Sequence, residues 1–134
     1  MRILAIETSA DETAAAITEG RKVLSIVIYS QILTHAQWGV IYPSLAKRAH
    51  EEKIDPVIEK VLSKFQIPNL NFQTNKIHKK MAGIDYIAVT QGPGLAIALE
   101  VGIKKAKELA TKYNKKIIAV NHLEGHIYSC FVQN

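Results

Sequence analysis

The stretch RILAIETSADETAAAITEGRKVLSIVIYS, residues 2–30, decides the fold. Arg2–Glu7 alternates short apolar residues and ends at a polar turn, which is a strand signature. Residues 8–13, Thr-Ser-Ala-Asp-Glu-Thr, are turn formers and capping groups. Ala14–Thr18 resumes the apolar run, Glu19-Gly20 turns, and Val23–Ser30 is rich in β-branched residues. Three strands joined by tight turns predict an antiparallel meander.

Downstream the period changes. From Pro43, apolar residues recur at Leu45, Ala49, Ile54, Val57, Ile58, Val61, Leu62 and Phe65. That is helical spacing, and Pro43 suits a first helical turn. Pro56 should kink or interrupt the helix, because it removes a donor and clashes with the preceding turn. Residues 31–42 read as irregular, and Ile67–Met81, with its asparagines and lysines, reads as a long surface loop. Ile84–Thr90 is a predicted strand, Gln91–Gly94 a sharp turn and Leu95–Tyr113 a helix. Lys116–Asn121 is another strand, with a further helix from His122. The predicted order is βββ-α-β-α-β-α: α/β, with a meander followed by crossovers.

Bulk properties narrow the class. The 134 residues are 48% hydrophobic and 22% charged, enough for one ordinary core. Acid appears by Glu7, before any long apolar segment, so no signal peptide is expected. No apolar run approaches the roughly 20 residues that span a bilayer, so no membrane partner is expected. A single cysteine, Cys130, allows no internal disulfide, which points to a reducing compartment, by default the cytoplasm. The net charge of +5 is compatible with an RNA or nucleotide partner. The lysines are too scattered to define a patch.

Four segments could carry chemistry. His122-Leu123-Glu124-Gly125-His126 directly follows an apolar strand. On a helix, i and i+4 share a face, so both imidazoles can reach one metal ion. Glu124 lies about 200° around the axis from His122. In zinc peptidases the glutamate directly follows the first histidine; Leu123 stands there instead, which argues against proteolysis. Two histidines cannot close a site, so a third ligand must come from elsewhere. The loop Glu7–Thr13 offers hydroxyls and carboxylates able to bind phosphate oxygens or a hydrated cation, although Asp and Ser are also simply good turn residues. Gln91-Gly92-Pro93-Gly94-Leu95 lets backbone amides approach a ligand at a helix N-terminus, yet it is neither Walker A nor the Rossmann fingerprint. His35–His50, with Trp38, Gly39, Tyr42 and Arg48, could contact RNA or protein; a core-facing amphipathic helix is the commoner explanation.

In this order the motifs resemble one family: the TsaD-type tRNA adenosine threonylcarbamoyltransferases, formerly labelled O-sialoglycoprotein endopeptidases or glycoproteases. The matching pieces are Ile6–Thr13, His35-Ala36 through Arg48 and His50, Gly92–Leu95 through Val101-Gly102, Ala106–Ala110, and Asn121–His126. The resemblance covers nearly the whole chain and is poorest over Gln66–Met81. It implies an actin/Hsp70/sugar-kinase (ribonuclease H-like) lobe. It further implies transfer of the threonylcarbamoyl group from threonylcarbamoyl-AMP to the exocyclic amine of the adenosine following the tRNA anticodon. His122 and His126 match the family's metal-binding histidines, with iron or zinc as the ion. Asp11 and Glu12 match its catalytic loop, with Asp11 as the essential carboxylate, while Ser9, Gly92 and Gly94 match its donor-binding positions. The cleft would hold the adenylate or magnesium-bound ATP. TsaB-like and TsaE-like proteins are the implied partners, beside tRNA.

The departures are Ala10 where the family has cysteine, Ser44 for a usual glutamate, Ala49 for a usual aspartate, and Glu108 for a small residue. Length is the larger one. Members are more than twice as long, with a second lobe that supplies an aspartate ligand. Residues 1–134 are therefore expected to be one N-terminal lobe, inactive or nearly so alone. Its uncovered face offers a route to a homodimer. The alternative is a non-catalytic dimerisation module, against which both histidines speak. A sugar or acid kinase rests on fold analogy alone.

Overall fold

The computed structural model describes residues 1–32, 36, 39, 43–67 and 77–133. The meander forms as the alternation predicts, with β1 (Arg2–Glu7), β2 (Glu12–Glu19) and β3 (Lys22–Ser30) in antiparallel register. The chain then enters α1 (Pro43–Lys64) and a short α2 (Ile77–Ala82). It continues through β4 (Tyr86–Gly92), α3 (Ala96–Tyr113), β5 (Lys116–Asn121) and α4 (His122–Ser129). The five strands make one sheet in the order β3-β2-β1-β4-β5, and β4 is parallel to both of its neighbours.

Alternation along each strand sorts the sheet into two unlike faces. Leu4, Ile6, Ala15, Ile17, Ile87 and Val89 are buried in one core with Ile54, Val57, Ile58, Val61 and Leu62 of α1 and Val101, Ala106, Leu109 and Ala110 of α3. The other face is built from small residues. Across the register, Ile26 pairs with Ala16, Ala16 with Ala5, Ala5 with Ala88, and Ala88 with Ile118. Among the described residues the helix on this face is α4, which has no buried residue and lies against the ends of β4 and β5.

Three sequence expectations change. Ile67–Met81 is not a plain surface loop: Ile77–Ala82 is helical and Met81 is fully buried in the core, while residues 68–76 lie outside the described residues. Among the described residues the order is thus βββ-α-α-β-α-β-α. Pro56 does not interrupt α1, which runs on to Lys64. Its ring is exposed, so the carbonyl it deprives of a partner can meet water instead of the core. Finally, the buried stripe of α1 starts at Ala46 and His50, whereas Leu45 is 40% exposed. A histidine occupies the place the apolar pattern gave to Ala49. The irregular segment expected over residues 31–42 is largely outside the described residues, His35, Trp38 and Tyr42 among them.

Candidate functional site

The loop after β1 is fixed one residue at a time. Thr8 is buried; its Oγ1 donates to the Ala98 carbonyl at 2.8 Å and accepts from the Gly102 amide at 3.2 Å. A Cβ on Gly102 would stand 2.6 Å from that oxygen, so the close approach requires glycine. The Ser9 carbonyl accepts from the Leu95 amide at 2.8 Å, and a Cβ on Gly94 would lie 2.7 Å from it. His50 reaches in from α1. A carbonyl can only accept, so its Nε2 donates to the Ala10 carbonyl at 2.8 Å and its Nδ1 accepts from Thr13 Oγ1 at 2.6 Å. The Asp11 carbonyl takes the Gln31 amide at 2.8 Å. With its backbone held this way, the loop presents Ser9, Asp11 and Glu12 to a cleft of about 640 Å³ over the small-residue face.

The opposite wall is α4. The Asn121 side chain accepts from the amides of Leu123 (2.9 Å) and Glu124 (3.3 Å), so the helix starts directly at the end of β5. That cap places His122 in the first turn and His126 one turn on. Their Nε2 atoms converge to 3.0 Å with the rings nearly perpendicular at 88°. Glu124 is exposed and is not part of the cleft wall.

Between the two walls lies Glu7. Its Oε2 receives the Thr90 hydroxyl at 2.6 Å and stands 3.3 Å from His122 Nδ1, while its Oε1 accepts the Ser9 amide. Ser9 Oγ is 3.1 Å from the same Nδ1. Burial pushes the Glu7 carboxyl up, but the Ser9 hydroxyl, the Thr90 hydroxyl, the Ser9 amide and His122 together outweigh it and hold the group below the ordinary glutamate range. Glu7 is therefore a carboxylate at neutral pH.

The donor set suits a metal in part. Two nitrogens each roughly 2.0–2.1 Å from one ion are about 2.9–3.4 Å apart in octahedral or tetrahedral geometry, and the observed 3.0 Å falls in that range. Among the described residues no cluster of three or more His, Cys, Asp or Glu is suited to an ion. The histidines thus fit as two ligands of a site needing a third.

Of the residues singled out in the sequence, Ser9, Asp11, Glu12, His122 and His126 share the cleft. Gly92 and Gly94 do not line it; Gly94 instead backs Ser9, and Gly92 has the positive φ of 152°. Sequence reasoning counted Glu7 only among the carboxylates of the Glu7–Thr13 loop, gave no individual role to Thr90 or Asn121, and treated His50 only as part of a contact segment. For Glu7 a signal existed: it stands two residues after Ala5, hence on the same face at the strand end where α/β proteins build sites.

Comparison with known proteins now bears on these residues. A profile of the family TsaD, tRNA N6-adenosine threonylcarbamoyltransferase, matches residues 22–134. A protein of that description from Anaeromyxobacter sp. is 48% identical over 134 residues, 98% of this chain and 36% of the relative. Another from Endomicrobium trichonymphae is 48% identical, covering 100% of this chain and 37% of the relative. The chain thus spans about a third of the length of the curated relatives it matches. Among solved structures, YeaZ from Pseudomonas aeruginosa superposes with a TM-score of 0.60 at 18% identity, over 90% of this chain and 43% of that one. Thermus thermophilus RuvC superposes at 0.53 with 11% identity, over 92% and 66%. At these identities the likeness speaks to the fold alone, and it agrees with the ribonuclease H-like lobe expected from the sequence.

Proposed function

Because the chain belongs to the TsaD family, tRNA N6-adenosine threonylcarbamoyltransferase, we propose that it forms one lobe of a two-lobed enzyme that transfers a threonylcarbamoyl group from threonylcarbamoyl-AMP to tRNA. The observation that carries the reading is the meeting of the two Nε2 atoms on one wall of a cleft whose other wall is the Ser9–Glu12 loop. The exocyclic amine of the adenosine after the anticodon attacks the carbamoyl carbon. The bond from that carbon to the phosphate-bearing oxygen breaks, AMP departs, and the Asp11 carboxylate takes the amine proton. Ser9 hydrogen-bonds the donor, and Glu12, at the outer end of the loop, orients the groups entering from solvent. The donor's nucleotide, or magnesium-bound ATP, would extend from the cleft toward the β4–α3 turn, which Gly94 allows to pack closely behind Ser9.

His122 and His126 would hold an iron or zinc ion, with a third ligand from the second lobe. Bound there, the ion supplies Lewis-acid polarisation of the carbamoyl carbonyl. With tRNA as its substrate the activity would belong to the cytoplasm, with TsaB-like and TsaE-like proteins as partners. No helix among the described residues is long and apolar enough to cross a membrane.

The test is tRNA modification by the complete two-lobed protein with those partners, threonylcarbamoyl-AMP and unmodified tRNA, read by mass spectrometry of the nucleosides. Asp11→Asn and His126→Ala should each slow product formation by about 100-fold or more, the scale of a lost general base or metal ligand. No threonylcarbamoyladenosine from the wild-type protein would overturn the proposal.

A further inference from the structure

We propose that Glu7 is a positioning residue for His122, its carboxylate holding the imidazole proton on Nδ1 so that Nε2 is left as a bare lone pair facing His126. The register brings it there. Ile6 pairs with Val89, so Glu7 and Thr90 are the next neighbours at the ends of β1 and β4. β5, alongside β4, delivers His122 immediately after its last residue.

The proton assignment follows by elimination. Thr90 donates to one Glu7 oxygen and the Ser9 amide to the other, so both oxygens already act as acceptors. A bare Nδ1 on His122 would set its lone pair against the carboxylate oxygen at 3.3 Å. With the proton on Nδ1 the contact to Glu7 becomes a hydrogen bond: Nδ1–H is shared between Glu7 Oε2 at 3.3 Å and Ser9 Oγ at 3.1 Å. His126 Nε2–H then donates to His122 Nε2 at 3.0 Å. Among the described residues no lysine or arginine pairs with Glu7; the basic side chain that faces it is His122, at 3.3 Å. A half-buried carboxylate serving a histidine that offers its other nitrogen to an ion is the arrangement by which outer groups fix tautomer and ring orientation.

The inference rests on the ligand reading above only for its metal arm. Two-bond proton–nitrogen correlation spectra of the metal-free chain report which ring nitrogen carries the proton. The pH should be about 8.5, about two units above the ordinary imidazole value of ~6.5. His122 should be in the Nδ1–H form in the wild type and in Ser9→Ala, and should shift toward Nε2–H in Glu7→Ala. Zinc(II) affinity, measured by chelator competition, should fall about 10- to 100-fold in Glu7→Ala and less in Glu7→Gln, whose amide oxygen still accepts. A wild-type proton on Nε2 overturns the inference, and that spectrum decides even where Glu7→Ala does not fold. So does a switch in Ser9→Ala with none in Glu7→Ala. A tautomer shift together with no zinc uptake by the complete two-lobed protein supports the positioning role and overturns the ligand reading instead.

Discussion

Gly94 and Gly125 look alike in the sequence, each a glycine beside a candidate site residue, but their surroundings are opposite. A Cβ on Gly94 meets the Ser9 carbonyl oxygen at 2.7 Å and Ser9 Cβ at 2.8 Å, whereas one on Gly125 meets nothing within 4 Å. Gly94→Ala is expected to cost about 1–3 kcal/mol, as overpacking against a fixed backbone does, and to displace Ser9. Gly125→Ala, inside α4, should be neutral or gain up to about 1 kcal/mol from helix propensity. Urea midpoints of the two variants check this, and equal midpoints would mean the Gly94–Ser9 contact is not formed. The two histidines were legible because four-residue spacing alone puts them on one helical face. The pairing of Glu7 with His122 was not, because the two are 115 positions apart and only the pairing of β1, β4 and β5 brings them together.

At the scale of elements, period-two alternation and apolar runs located the strands well, and residues 116–121 form a strand with the bounds expected of them. The short α2 escaped because its six residues are too few to show a period, and His78, Lys79 and Lys80 dilute its one core residue. Met81 is the anchor, fully buried beside Phe65 and Ile84 in the core. Met81→Ala should therefore cost about 2–5 kcal/mol with an unchanged denaturant slope, measured by equilibrium unfolding. A cost below about 1 kcal/mol, the surface-substitution range, would return the segment to a loop. His50 teaches the reverse lesson. Its place in the buried stripe of α1 is set by Ala10 and Thr13, which need a donor and an acceptor from that helix; hydropathy carries no trace of such a demand.

Across the whole molecule the two faces of the sheet differ in what covers them. α1 and α3 bury the core face over β1, β2 and β4, though Ile117 of β5 on that face is 40% exposed. The other face carries Ile26 and Ile28 at 49% and 55% exposure and an α4 with Leu123, Ile127 and Tyr128 largely exposed. Stability must be uneven in consequence, since local opening follows buried contact. Amide hydrogen exchange should be slowest in β2, β1 and β4, which are paired on both sides, and orders of magnitude faster in α4. Protection of α4 equal to that of β4 would contradict this arrangement. The same asymmetry gives the cleft its form: Ala5, Ala14, Ala16 and Ala88 are too small to fill the space between the Ser9–Glu12 loop and α4.

The sequence by itself determined the strands of the meander, the long helices, the family, and the residues whose chemistry depends on local spacing: Asp11 and Glu12 in one turn, His122 and His126 on one helical face. Those are short-range facts, set by backbone periods of two and 3.6 residues. Tertiary structure decided which face of the sheet stays open, that Met81 and His50 belong to the interior, and that Glu7, Thr90 and Ser9 converge on His122. Alternation shows that a strand has two faces, but only the path of the crossing helices chooses which of them is covered.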